Sequence, residues 1–191
     1  MKRGTIILLS IIGIVLLWAI SGYNGLVTKD EGVKKAWGDV QAQYQRRADV
    51  FSNTLETVKG AAANEKDILT SITNARSGID AAKADMSKAT TPAELDAALQ
   101  KAQTAAMSIK VTVEAYPQIR STDAFIKFQD EISGTENRIA TARTDYNAVV
   151  AAFNVATRRF PTVIIAKILG FNSKDEFKAK DSAQDAPQVK F

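Results

Sequence analysis

From Val33 onward, apolar residues recur at alternating steps of four and three. Val33, Trp37, Val40, Tyr44, Phe51, Leu55 and Val58 keep one stripe, and Ile68, Ile72 and Ile79 continue it. A seven-residue repeat of this kind places one apolar seam along a helix that packs lengthwise against its neighbours. No proline interrupts before Pro92. The pattern predicts one long helix from about Lys29 to about Lys88, kinked near Gly60 or ending near Gly78.

Thr91, Pro92 and Glu94 then form a helix start. Thr91 can accept from a free amide, Pro92 suits the first turn, and Glu94 completes a capping box. The second stripe is Leu95, Leu99, Ala102, Ala106, Ile109, Val113 and Tyr116, and Pro117 ends it by removing an amide donor. Ser121-Thr122-Asp123 restarts helix. The third stripe runs Phe125, Phe128, Ile132, Thr135, Ile139, Ala142, Tyr146, Val149, Phe153, Ala156 and Phe160, with Gly134 inside it as a point of close helix approach, and Pro161 breaks it. Val163–Leu169, closed by Gly170, reads as a short apolar helix. It either folds back over one end of the bundle, the ordinary fate of such a run, or touches the membrane or a partner. Lys174–Phe191 has balanced charge and few apolar residues, which predicts a largely disordered tail.

Ahead of these stripes lies Thr5–Ile20, sixteen residues without a formal charge, preceded by Met1, Lys2 and Arg3. At 1.5 Å per residue it spans about 24 Å, and Ser21–Tyr23 bring it near the roughly 30 Å of a bilayer core. Trp18 and Tyr23 suit an interface. The retained membrane anchor is the favoured reading. The competing one is a cleaved secretory signal with Ala19-Ile20-Ser21 at the cut, for which Trp18 is awkward. Lys2 and Arg3 favour a cytoplasmic start and an extracytoplasmic bulk, although Lys29, Lys34 and Lys35 on the far side weaken the bias.

The fold class is therefore all-α: an N-terminal transmembrane helix followed by an elongated antiparallel bundle of three long helices plus a short C-terminal helix. Residues 1–4 form a short tail, 5–23 the anchor, 24–177 the helical bundle and 178–191 a disordered tail.

Composition narrows the chemistry. The net charge is +4, from 25 basic and 21 acidic residues that are interspersed rather than gathered on one face, so no nucleic-acid partner is expected. Zero Cys excludes disulfides and cysteine nucleophiles, and zero His removes the commonest general base and metal ligand. There is no Gly-rich phosphate loop and no nucleophile elbow. Neither a cofactor nor catalysis is expected.

Several polar residues misfit the stripes. Arg47 and Glu65 occupy positions that should be apolar. Arg46, Glu114, Glu136, Asn137, Arg138, Arg143 and Asn147 lie beside or near stripe positions. A buried charge is costly without a partner. The expected pairs are Arg46 or Arg47 with Glu136 or Glu114, and Glu65 with Arg143 or Arg138. They serve best as a structural polar network that fixes which helices pack and in what register; a ligand site inside the bundle is the less favoured use. Arg158-Arg159 could meet anionic lipid, but complementing the helix dipole is the simpler role.

A series of short motifs runs along the chain: Tyr23-Asn24, Leu26-Val27, Trp37, Gln45-Arg46-Arg47-Ala48-Asp49, Asn53, Thr57-Val58-Lys59-Gly60 and Ala75-Arg76-Ser77, then Val113-Glu114-Ala115-Tyr116-Pro117, Thr135-Glu136-Asn137-Arg138-Ile139, Ala142-Arg143, Tyr146-Asn147, Phe160-Pro161, Ala166-Lys167 and Gly170-Phe171. In these motifs, their order and their spacing the chain resembles the LemA family. The chain departs from the family pattern at Ser52, where proline is usual, at Thr54, where leucine is usual, and at Asn64, where a histidine usually precedes Glu65. Any role of that histidine is lost here. The resemblance implies an N-terminal membrane segment and a long-helix domain, with some relatives linked to membrane organisation; it implies no catalytic residues. The expected function is a membrane-anchored helical scaffold or adaptor of the bacterial cell envelope. Its expected partners are the lipid bilayer and a protein partner or a second copy. The alternative is a ligand-sensing ectodomain with a polar pocket inside the bundle.

Overall fold

The computed structural model describes residues 3–61, 65–114, 123, 126–127, 130 and 136–178. Among the described residues there are five helices and no strand: α1 (Arg3–Ala61), α2 (Lys66–Lys88), α3 (Pro92–Glu114), α4 (Glu136–Arg158) and α5 (Thr162–Leu169). The helix expected over 29–88 is two helices. The interruption falls just past Gly60, the first of the two glycines singled out, and Glu65 stands at the N-cap of α2 in extended conformation. Gly78 does not end a helix. A Cβ there would sit 2.9 Å from that of Ala105, so the glycine permits close approach of α2 to α3. The stripe residues Val113, Tyr116, Phe125, Phe128, Ile132 and Thr135, together with Gly134 and Pro117, lie outside the residues whose surroundings are described.

By its contacts the chain divides into two compact units, and the stretch 24–177 expected as one bundle is shared between them. The first takes residues up to Gly38 together with Thr144–Asp175; the second takes Asp39–Arg143 and the chain from Glu176.

In the first unit the apolar run at the start of α1 is exposed, Ile6 to Leu17 among the most open side chains in the protein. Further along, Gly32 faces Val149, and Trp37 packs on Tyr146 with ring centroids 5.5 Å apart. Residue numbers therefore rise along α1 as they fall along α4, the antiparallel sense. After Arg158 the chain turns at Pro161, and α5 leaves at 99° to α4. Gly170 closes α5 in the left-handed conformation (φ 76°), and Phe171 N–H donates to Ala166 O at 2.9 Å.

The following residues are not a loose tail. Asn154 uses both halves of its amide on Lys174, donating to its carbonyl at 2.9 Å and accepting from its N–H at 2.8 Å. Tyr146 Oη donates to Asp175 O at 3.1 Å. Expected disorder from Lys174 is thus overturned as far as Lys178 by backbone groups that find side-chain partners; residues 179–191 lie outside the described residues.

In the second unit α2 and α3 form a hairpin whose turn is fixed by the expected capping box. Glu94 N–H donates to Thr91 Oγ1 and Thr91 N–H to Glu94 Oε2, both at 3.3 Å, and Thr90 N–H joins at 2.8 Å. The later half of α1 lies antiparallel to α2. Gln41 donates to the carbonyls of Met86 and Ala89, Gln45 to Ser87, and Asp49 and Glu56 pair with Lys83 and Arg76. Val40, Tyr44, Phe51, Leu55 and Val58 on α1, Ile68, Ile72 and Ile79 on α2, and Leu95, Leu99, Ala102, Ala106 and Ile109 on α3 are all buried, as the stripes require.

Candidate functional site: a polar cluster inside the second unit

Tyr44 occupies a stripe position and is fully buried, so its hydroxyl needs a partner inside the protein. It donates to Asp96 Oδ1 at 2.5 Å. Arg143, half-buried on α4, donates from Nε to the same hydroxyl at 2.6 Å and from Nη2 to the Asp96 carboxylate. Its guanidinium lies over two rings, 5.4 Å from the centroid of Tyr44 and 5.3 Å from that of Phe177. Three helices thus contribute one residue each, and a buried aromatic closes the far side. Arginine suits this place because its planar fork stacks and donates at once.

One step away Arg47, 4% exposed, pairs through Nη2 with Glu136 Oε1 at 3.1 Å and stacks its guanidinium 5.5 Å from the Phe51 ring. Glu136 itself is largely in solvent. Its carboxylate heads the first turn of α4, where negative charge also complements the helix dipole.

The electrostatics favour the neutral phenol at the centre of the cluster. Burial, and after it the Asp96 carboxylate, pushes the Tyr44 phenol well above its ordinary value, with Arg143 pulling weakly the other way. The tyrosine therefore stays protonated and donating at any physiological pH. Donors and acceptors of the trio answer one another. Among the described residues no group of three or more Asp and Glu is placed to hold a metal ion. A surface cleft exists at the α2–α3 turn, lined by Asp85, Lys88, Glu94 and Lys101 and by no member of the trio.

Of the residues picked from sequence, Arg47–Glu136 is present as one of the expected pairs and Arg143 is a cluster member. The other assignments change. Arg143 is occupied by Asp96 and Tyr44, not by Glu65, which has left the seam because α1 ends before it. Arg46 points to solvent, one residue off the seam that Arg47 occupies. Asn137 and Arg138 are exposed on α4, and the Asn137 carbonyl accepts from Thr141. Asn147 is half-buried on the same helix, and Glu114 closes α3. Asp96 was missed because it sits one position beyond the Leu95 stripe residue. The available signal was Tyr44, a buried phenol in need of an acceptor. At the departures from the family pattern, helix α1 runs unbroken through Ser52, and Thr54 Oγ1 donates to Val50 O at 2.6 Å; Asn64 lies outside the described residues.

The sequence comparison meets this geometry directly. The LemA family model matches residues 36–191, which include every member of the polar cluster. The chain belongs to the LemA family. Among curated proteins it is similar to the magnetosome protein MamQ 2 of Paramagnetospirillum magneticum, 26% identical over 208 residues that cover 96% of this chain and 75% of the relative. It is similar to MamQ of Magnetospirillum gryphiswaldense at 26% over 216 residues, covering 99% and 78%, and to protein LemA of Metamycoplasma hominis at 26% over 170 residues, covering 89% and 75%. Among the described residues, α1 of this LemA-family chain is long and apolar enough at its start to cross a membrane.

Proposed function

We propose that this LemA-family protein is a membrane-anchored, non-catalytic helical scaffold or adaptor of a bacterial cell envelope, acting through contact with a protein partner or a second copy. The observation that carries the reading is α1 itself: one helix, Arg3–Ala61, holds both an exposed apolar run and the buried seam of the packed helices. The run is retained rather than cleaved. Trp18 and Ala19, which cleavage near Ser21 would remove, pack against Leu26, Ile165 and Ala166. Lys2 and Arg3 hold the start on the cytoplasmic side, and the bulk of the chain is extracytoplasmic. The helices pack antiparallel, with the Tyr44–Asp96–Arg143 trio and the Arg47–Glu136 pair setting register.

The sensing alternative needs polar groups turned toward a ligand; the trio's donors and acceptors are turned toward each other. Two measurements on the full chain in cells test the proposal. The chain lacks Cys, so a single Lys83→Cys is labelled by an impermeant maleimide in intact cells if the bulk lies outside. Labelling only after lysis overturns the orientation. Photo-crosslinkers at exposed α2 and α3 positions should give a discrete crosslinked species, self or partner. A strictly monomeric pattern at native abundance overturns the scaffold role.

A further inference from the structure

Helix α5 is small, apolar and incompletely covered. Ile165 and Ala166 are buried against Leu26, with Trp18 and Ala19 beside them, and Gly22 leaves room for the Ile165 side chain. Val163 is half-buried, and the other apolar side chains are bare: Ile168 is 76% exposed, Leu169 52% and Ile164 47%, with Phe160 just before the helix at 77%. Ile164 and Ile168 are four apart and share a face. Basic groups surround that face, with Arg158 and Arg159 just before α5 and Lys167 within it, all exposed.

Where α5 sits along α1 decides what covers it. No formal charge occurs from Gly4 to Thr28, and α5 packs on residues 18–26, the final third of that stretch. If residues 5–23 cross the bilayer, a helix in contact with Trp18 and Ala19 is within a turn or two of the acyl region. Its direction fits too. α4 descends antiparallel along α1 towards this level, and the 99° turn then lays α5 across α1. A short helix lying crosswise at the exit of an anchor, with an apolar face, an aromatic neighbour and basic flanks, has the composition of an element resting in the headgroup layer.

We propose that α5 with Phe160 is a second membrane-contact element, seated in the leaflet where α1 leaves the bilayer and drawn to anionic lipid by Arg158, Arg159 and Lys167. The occupant of the bare face is the chain's own membrane. This rests on the anchor reading above. It adds that the protein meets lipid at two places and is held at a fixed tilt and depth rather than swinging on a single helix. Three basic residues alone are too few for stable surface binding, but here the anchor already supplies the attachment, and the charges need only select the lipid.

Single-cysteine chains decide it, and the absence of native Cys makes them clean. Ile168→Cys and Ile164→Cys carry the test, Ile14→Cys reports the anchor, and Lys83→Cys reports water. Each full-length chain is labelled with a nitroxide and reconstituted in vesicles of three parts phosphatidylcholine to one part phosphatidylglycerol. Relative accessibility to oxygen and to a nickel chelate then gives depth. The labels at 164 and 168 are expected about 5–10 Å below the phosphates. Their burial should shrink in pure phosphatidylcholine or when Arg158, Arg159 and Lys167 are all changed to Gln. If 14 is deep while 164 and 168 are in water, the α5 proposal is overturned and the anchor stands. If 14 is also in water, the anchor reading itself is overturned. If 164 and 168 are shielded from both reagents, or couple magnetically between chains, a protein covers the face and the lipid proposal fails. Depth that ignores lipid charge overturns the anionic preference.

Discussion

The two units of this chain share α1 and α4 but are held together by different means. In the first, α1 and α4 meet through small and aromatic residues, Gly32 against Val149 and Trp37 against Tyr146, Asn154 and Tyr146 clasp backbone groups of Lys174 and Asp175, and a single carboxylate, Asp30, receives Lys174 and Lys34. In the second, the seam contains charge: Arg143 with Asp96, Arg47 with Glu136, and a ladder of Asp49–Lys83, Glu56–Arg76 and Asp85–Lys101 towards solvent. An ion pair in a seam is satisfied in one register only. On the function proposed above, these pairs specify which helices of the second unit pack together.

The largest effect should come from breaking the trio. Arg143→Ala leaves the Asp96 carboxylate and the Tyr44 hydroxyl without their cation, and should cost the second unit about 2–3 kcal/mol, at the low end because both charged partners keep some solvent. Denaturant unfolding of the full chain in detergent, followed by hydrogen exchange on α3, reads it. The double change Asp96→Leu with Arg143→Met should recover much of the loss, since a matched apolar pair strands no charge. If the double variant is as damaged as the single one, the trio contributes more than charge matching. If Arg143→Ala is silent, the second unit does not depend on its polar seam and the contrast with the first unit fails.

A smaller, local effect should follow Asn154→Ala. That change leaves the Lys174 N–H and carbonyl without the amide that serves both, at a cost of about 1–2 kcal/mol to the segment after α5. Amide exchange should accelerate over residues 171–175 and remain as before in α2 and α3. Equal acceleration everywhere would mean that the two units open together.

What could be read from sequence follows the same division. The stripes located most buried apolar residues of α1 and α3, because a seven-residue repeat encodes one face of a helix regardless of its neighbour, but on α2 they found Ile68, Ile72 and Ile79 and passed over Ala75, Ala82 and Met86. Arg47 with Glu136 was legible because both depart from that repeat. Asp96 was not, since nothing local marks an acid early in α3 as the partner of an arginine 47 positions later. Glu65 misled because the stripe was carried through a helix end that Gly60 only hints at. The ordered segment after Gly170 was illegible from composition. Its stability comes from Asn154 and Tyr146, residues whose own pattern reads only as helix.

The subtlest test sets the units against each other by pH. In the first unit Asp30 receives Lys174 at 3.2 Å and Lys34 at 3.3 Å; burial would raise its carboxyl, but the two lysines outweigh it and hold it below the usual 3.8. In the second, Tyr44 is shifted the opposite way, above the usual 10, by burial and Asp96. A carboxyl with a lowered folded pKa stabilises above its unfolded value, and that contribution is lost as pH falls through the folded one. A phenol with a raised folded pKa stabilises below about 10, and its contribution is lost as pH rises, by up to about 1.4 kcal/mol for each pH unit. Melting temperatures of parent and variant should therefore converge at opposite ends. The gap between parent and Asp30→Asn should close below about pH 4, where Asp85 and Glu94 of the second unit also lose their partners in parent and variant alike. The gap between parent and Tyr44→Phe should close above about pH 10, where only the parent has a phenol at 44 to ionise. Convergence of both variants at the same end would show that the two units do not carry separate electrostatic supports, because opposite shifts cannot give the same limb.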